Sequence, residues 1–163
     1  MRKVSFIILL LIITVLSANA QSPLAKGNKQ LNAGVGFSGW GVPIYAGMDF
    51  GVYKDITVGF EGSFRSYSVY NYKFSIFGIV GNGNYHFNSL LNISSQWDVY
   101  AGLSLGYFIM SNPNGYQGNV SSGIGLNAQI GARYFFKNNF GVNLEFGGGN
   151  TFSGGKFGIT YIF

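Results

Sequence analysis

The chain contains no cysteine, which excludes disulfides, thiolate metal sites and a lipid-modified N-terminal cysteine. Charge is also scarce: Asp, Glu, Lys and Arg make up 9% of the residues, against roughly a quarter in a soluble domain. Too few charged groups are present to clothe a water-facing surface. The cations Lys26, Lys29, Lys54, Arg65, Lys73, Arg133, Lys137 and Lys156 stand singly. A formal net charge of +5 therefore offers no basic stripe to a phosphate backbone, and nucleic acid is not an expected partner. One histidine and dispersed carboxylates give no metal-ligand spacing. Beyond residue 20 no apolar run approaches the about eighteen residues that suggest a membrane helix. If this chain enters a bilayer, it does so as strands.

Residues 1–20 start with Arg2-Lys3, carry an apolar run from Phe6 to Leu16 and end on Ala18-Asn19-Ala20 before Gln21. This is the pattern of a cleavable secretory signal; the run is too short for a spanning helix, which needs about twenty residues. Residues 21–28 read as a short polar lead-in, and residues 29–163 as one domain. The domain is rich in glycine and in aromatic rings, with 26 Gly, 16 Phe and 11 Tyr in the whole chain. That composition suits curved strands with interfacial rings.

Period-two alternation is the strongest signal in the domain. At the C-terminus Phe157, Ile159, Tyr161 and Phe163 alternate with Gly158, Thr160 and Ile162, after Lys156. Phe140, Val142, Leu144 and Phe146 alternate with Gly141, Asn143, Glu145 and Gly147, and the row Ile124 to Phe136 opposes Asn127, Gln129 and Arg133. Trp97, Val99, Ala101, Leu103, Leu105, Tyr107 and Ile109 form another row, with aromatic ends and an aliphatic middle, the layout of a strand crossing two interfaces. Three earlier rows run through Leu31 to Phe37, Ile44 to Val52 and Ile56 to Phe64. The stretch from Tyr72 to Phe87 is less regular, and Gly81 and Gly83 predict a bulge or kink there.

Eight strands result, linked near 39–42, 53–54, 66–71, 88–95, 111–119, 137–139 and 150–155. The apolar rows face outward, because Asp49, Glu61, Asp98, Glu145, Arg65, Arg133 and Lys156 all fall on the opposite parity. The expected fold is all-β: an eight-stranded antiparallel up-and-down transmembrane β-barrel. An even strand count puts both chain ends on one side. The short 53–54 and 137–139 turns suit the periplasm, although the 88–95 link is long for that side.

With Phe163 terminal, Tyr161 two residues before it and eight alternating strands after a signal peptide, the chain resembles the small eight-stranded outer-membrane barrels of the OmpX and OmpA transmembrane-domain type, within the porin-like outer-membrane β-barrel family. The likeness covers residues 29–163. It implies residence in the outer membrane as a monomer, among outer-membrane lipids and lipopolysaccharide. It further implies that Phe157, Ile159, Tyr161 and Phe163 are read by the barrel assembly machinery. No catalytic motif comes with it.

An eight-stranded barrel is just wide enough for side chains to fill it, and enclosed charges need partners. The spacing predicts an interior network in which Arg133 meets Glu145 and Glu61, with Lys156 and Asp49 nearer the outer end. Such a network serves as a polar plug or, alternatively, as a narrow path for ions or small solutes. His86 points inward near the periplasmic end with no catalytic partner evident by spacing. A lipid-modifying enzyme would need a Ser-His pair near the outer leaflet, and a lipocalin-like soluble binder would need the greasy face inside. Gly34-Val35-Gly36-Phe37-Ser38-Gly39 and Gly123-Ile124-Gly125-Leu126-Asn127-Ala128 match a dinucleotide-binding pattern, but no helix follows either to receive a pyrophosphate. No cofactor is expected. The reading is a non-enzymatic barrel with a structural or surface-interaction role, and Tyr67, Tyr70 and Tyr116 in the outer connections are the candidate contacts.

Overall fold

The computed structural model describes residues 24–163 apart from 70, 114, 119 and 152. The proposed signal segment and Tyr70 thus lie outside the described residues. Eight strands follow one another: β1 (Lys29–Ser38), β2 (Ile44–Tyr53), β3 (Ile56–Val69), β4 (Tyr72–His86), β5 (Trp97–Ser111), β6 (Gly123–Lys137), β7 (Phe140–Gly149) and β8 (Gly154–Ile162). A single helical turn, α1 (Asn88–Leu91), lies between β4 and β5. Each strand pairs antiparallel with its neighbour in sequence, and β8 pairs with β1 to close the barrel. Closure leaves no sheet edge unpaired.

The two rims differ. One, the terminal rim, carries the start of β1 and the end of β8, the tight turn at Lys54-Asp55, the α1 connection and the Asn138-Asn139 turn. The far rim carries the links between β1 and β2, β3 and β4, β5 and β6, and β7 and β8. Of the strings that match the dinucleotide pattern, the first runs along β1 to Gly39 just beyond it and the second lies within β6.

Outward parity holds as read. Leu103, Leu105, Ile124, Leu126, Ile130, Phe157 and Ile159 are all more than half exposed on the outer wall, while Gln30, Thr57, His86 and Asp98 are wholly buried within. This inversion of the soluble pattern is the arrangement of a transmembrane barrel and rules out a lipocalin-like interior.

Two strand expectations are corrected. No bulge occurs at Gly81 or Gly83: β4 keeps continuous register with β3 and β5 through both residues. The pattern is weak there for another reason. Phe74 and Ile76 point inward and are buried, so apolar residues occupy both faces of β4. The register shifts fall between Gly51 and Tyr53 and between Phe135 and Lys137, each beside a terminal-rim turn. The second correction concerns the 66–71 link. Strands β3 and β4 pair as far as Val69 and Tyr72, and Asn71 at φ 69° makes the tight reversal that a left-handed residue permits. Tyr67 is therefore a strand residue.

The lead-in has a structural part. Leu24 is 1% exposed and packs with Phe135 and Ile162, closing the terminal rim with an apolar cap. The backbone is tied down by Gly27 N–H donating to Gly51 O at 2.8 Å and Gly51 N–H donating to Asn28 O at 3.1 Å. A side chain at Gly51 would stand 2.2 Å from the Ala25 carbonyl oxygen, so the close approach depends on that glycine.

Candidate functional site

Strand parity delivers the polar side chains to the lumen, and their depth decides which of them meet. Near the terminal rim, β5 and β6 place Asp98 directly opposite Arg133. Arg133 Nη1 donates to Asp98 Oδ2 at 2.9 Å, and Nη2 donates to Asp49 Oδ2 at 2.7 Å. Asn32 Nδ2 also donates to Asp49 Oδ2, at 2.9 Å, and Thr160 Oγ1 donates to Asn32 Oδ1 at 2.9 Å. The guanidinium lies 4.2 Å from the centre of the Tyr100 ring, a cation–π contact. Room for that ring comes from Gly131, where a Cβ would stand 2.4 Å from it.

One step nearer the far rim, Lys156 Nζ donates to Glu61 Oε2 at 2.7 Å and stands 2.8 Å from Glu145 Oε1. Tyr100 Oη donates to Glu145 Oε2 at 2.8 Å, linking the two layers. Tyr45 Oη donates to Asn143 Oδ1 at 2.9 Å across the lumen. The five predicted network residues are thus all interior, but the predicted pairing is wrong. Arg133 takes Asp49 and Asp98, and Lys156 takes Glu145 and Glu61. The β6–β7 register is the expected one, with Gly131 beside Glu145 and Arg133 beside Asn143, but β8 sets Lys156 directly opposite Glu145 and β5 sets Asp98 directly opposite Arg133. Asp49 sits at the level of Gln30 and Gly59, in the terminal half of the barrel and not toward the far rim.

His86 has the neighbours that spacing did not reveal. Its Nδ1 is 2.6 Å from Asp98 Oδ1 and its Nε2 is 3.0 Å from Thr57 Oγ1. Hydroxyl, imidazole and carboxylate in that order form the arrangement of an activated nucleophile. All three residues are completely buried, however, and none of them lines either lumenal cavity. The triad closes a polar layer. Inward parity marked His86 and Asp98 in the sequence; Thr57 was legible only as an inward position.

Above the lysine layer the lumen opens into a cavity of about 120 Å³. Asn82, Gln129, Asn127 and Ser104 line it, with Glu61, Glu145 and Lys156 at its base. Below that layer the second cavity shrinks to about 20 Å³, little more than one water. The lumen is therefore a polar well, blocked by the arginine layer and the Leu24 cap.

At the far rim a chain of rings joins two connections through the end of the β3–β4 hairpin. Trp40 meets Tyr67 edge-on with centroids 5.5 Å apart, Tyr67 stacks on Phe74 at 5.2 Å, and Phe74 meets Tyr116 at 5.1 Å. Tyr72 adds a fifth ring, 5.2 Å from Tyr116. Two of the predicted contacts, Tyr67 and Tyr116, are thus brought together through Phe74, while Trp40 was not anticipated. The terminal row Phe157, Ile159, Tyr161 and Phe163 faces outward, each residue at least 41% exposed.

The closed eight-strand fold matches solved barrels along their length. OprG from Pseudomonas aeruginosa aligns at a TM-score of 0.67 and 9% identity, covering 87% of this chain and 99% of that one. The N-terminal β-barrel domain of OprF from the same organism aligns at 0.63 and 14%, covering 85% and 98%. The fold is that of the small eight-stranded outer-membrane barrels. Neisserial surface protein A is a further example, at a TM-score of 0.56 and 15% identity over 83% of this chain and 93% of that one. No family model matches the sequence, and no curated protein matches it. In an outer-membrane barrel the exposed rows described above are the lipid-facing ones.

Proposed function

We propose that this chain is a non-enzymatic outer-membrane protein, exported by a cleaved signal and inserted by the barrel assembly machinery. Its barrel is a scaffold, and its far rim is the working surface at the cell exterior. The observation that carries this reading is the ring chain from Trp40 to Tyr116, which ties two far-rim connections to the wall through Tyr67 of β3 and Phe74 of β4. The blocked lumen favours a plug over a pore: the Arg133 layer spans it with bonds of 2.7 and 2.9 Å. The buried Thr57–His86–Asp98 group, which lines neither lumenal cavity, speaks against hydrolysis. Outer-membrane lipids and lipopolysaccharide are the surroundings proposed for the apolar wall, and a single closed barrel suits a monomer.

The absence of cysteine makes the test clean. Gln117→Cys at the far rim and Asn138→Cys at the terminal rim each introduce one reactive thiol. On intact Gram-negative cells a membrane-impermeant maleimide should label the first variant and reach the second only after lysis. The reverse pattern refutes the orientation. Steady single-channel conductance from purified protein in a planar bilayer refutes the plug.

A further inference from the structure

The four far-rim connections, residues 39–43, 70–71, 112–122 and 150–153, contain no Asp, Glu, Lys or Arg. They are built from Gly, Asn, Ser, Pro, Gln and Thr with aromatic residues and valine among them. The terminal rim differs, with Lys26, Lys29, Lys54, Asp55 and Lys137 in or beside its turns. Beside the far-rim connections the exposed charge is the single Lys73, next to the 70–71 turn on the outward face of β4; the remaining charges of the described residues lie at the terminal rim and in the lumen.

In these uncharged connections two rings stand out from the surface, Trp40 at 50% exposure and Tyr116 at 37%. Both are held in place. Phe74, which joins them through Tyr67, is buried. The turn that carries Trp40 is tied by Ser38, whose Oγ donates to Gly41 O at 3.1 Å and accepts from Trp40 N–H at 3.3 Å and from Arg65 Nη1 at 3.1 Å. Tyr72 Oη donates to Gly115 O at 3.1 Å, fixing the 112–122 connection beside Tyr116. Rings already ordered lose little entropy when they bind.

From this geometry we infer that the far rim is a binding platform for neutral hexose polymers, with Trp40 and Tyr116 as the stacking faces. The inference rests on the outward orientation proposed above. A pyranose ring offers an apolar C–H face bordered by hydroxyls. A fixed aromatic face matches the first, and the exposed amides of Asn71, Asn112 and Gln117 match the second, since each side chain both donates and accepts. A sulfated or phosphorylated polymer would need clustered cations, and these connections contain none.

The test uses the full barrel in detergent on an array of neutral glucan, mannan and galactan oligosaccharides, with sulfated and phosphorylated oligosaccharides alongside. Binding to a neutral series is expected, unaffected by added salt and weakened roughly tenfold or more by Trp40→Ala or Tyr116→Ala, while both variants keep the gel shift of a folded barrel. Binding to anionic glycans alone, or to none, overturns the inference. So does quenching of Trp40 fluorescence by brominated lipid in a Trp97→Phe background, which would make Trp40 a membrane anchor. The thiol labelling keeps the two failures apart: with Gln117→Cys labelled on intact cells, a blank array refutes the glycan platform alone.

Discussion

Arg133 on β6 reaches across the lumen to Asp49 on β2, Nη2 to Oδ2, over 2.7 Å. In the strand order of the closed barrel these two strands stand diametrically opposed, so one guanidinium braces both walls. Its other terminal nitrogen holds Asp98, and both carboxylates are buried.

Removing that brace should be costly. Arg133→Met leaves Asp49 and Asp98 enclosed without their cation, a loss of about 3–5 kcal/mol for a buried pair broken on one side. Lys156→Met should cost clearly less, because Glu61 and Glu145 border the larger cavity, with side chains 16% and 15% exposed, and water can replace the ammonium. Denaturant unfolding of the two variants in lipid vesicles gives the comparison. Equal losses would show that the two layers are equally dry.

The outward assignment of β7 is tested at Leu144, which is 41% exposed on the apolar wall. Leu144→Arg should destabilise the barrel in lipid by about 2–4 kcal/mol. Gln129→Arg, on the inward row of β6 and lining the cavity with Glu145, should lose far less. Equilibrium folding into vesicles measures both, and similar penalties would contradict the assignment of faces.

Phe163 separates assembly from stability. Its backbone N–H donates to Lys29 O at 2.8 Å, and its ring is 62% exposed, so the side chain contributes little to the finished barrel. Phe163→Ala should fold normally from denaturant into detergent and yet give much less folded protein in outer membranes of expressing cells. Gel mobility before and after boiling reports folding in both settings. Equal yields in cells would remove the terminal ring from the assembly signal.

What the sequence determined by itself is parity. A strand's side chains alternate, so Phe157, Ile159, Tyr161 and Phe163 had to share one face and Glu145, Arg133 and Glu61 the other. Once charge lay on a single parity, the inside of the barrel followed. Parity carries no depth, and there the sequence reading went astray. Glu145 was the expected partner of Arg133, but β8 sets Lys156 directly opposite it, and only closure of the barrel brought Asp49 across to the guanidinium. The Thr57–His86–Asp98 contact arose in the same way, from three strands meeting at one depth. On β4 the signal blurred because Phe74 and Ile76 fill the upper lumen while Phe77 and Ile79 face outward. Alternation is enforced by the difference between two environments; where both faces are apolar that difference is lost, and only the tertiary structure decides.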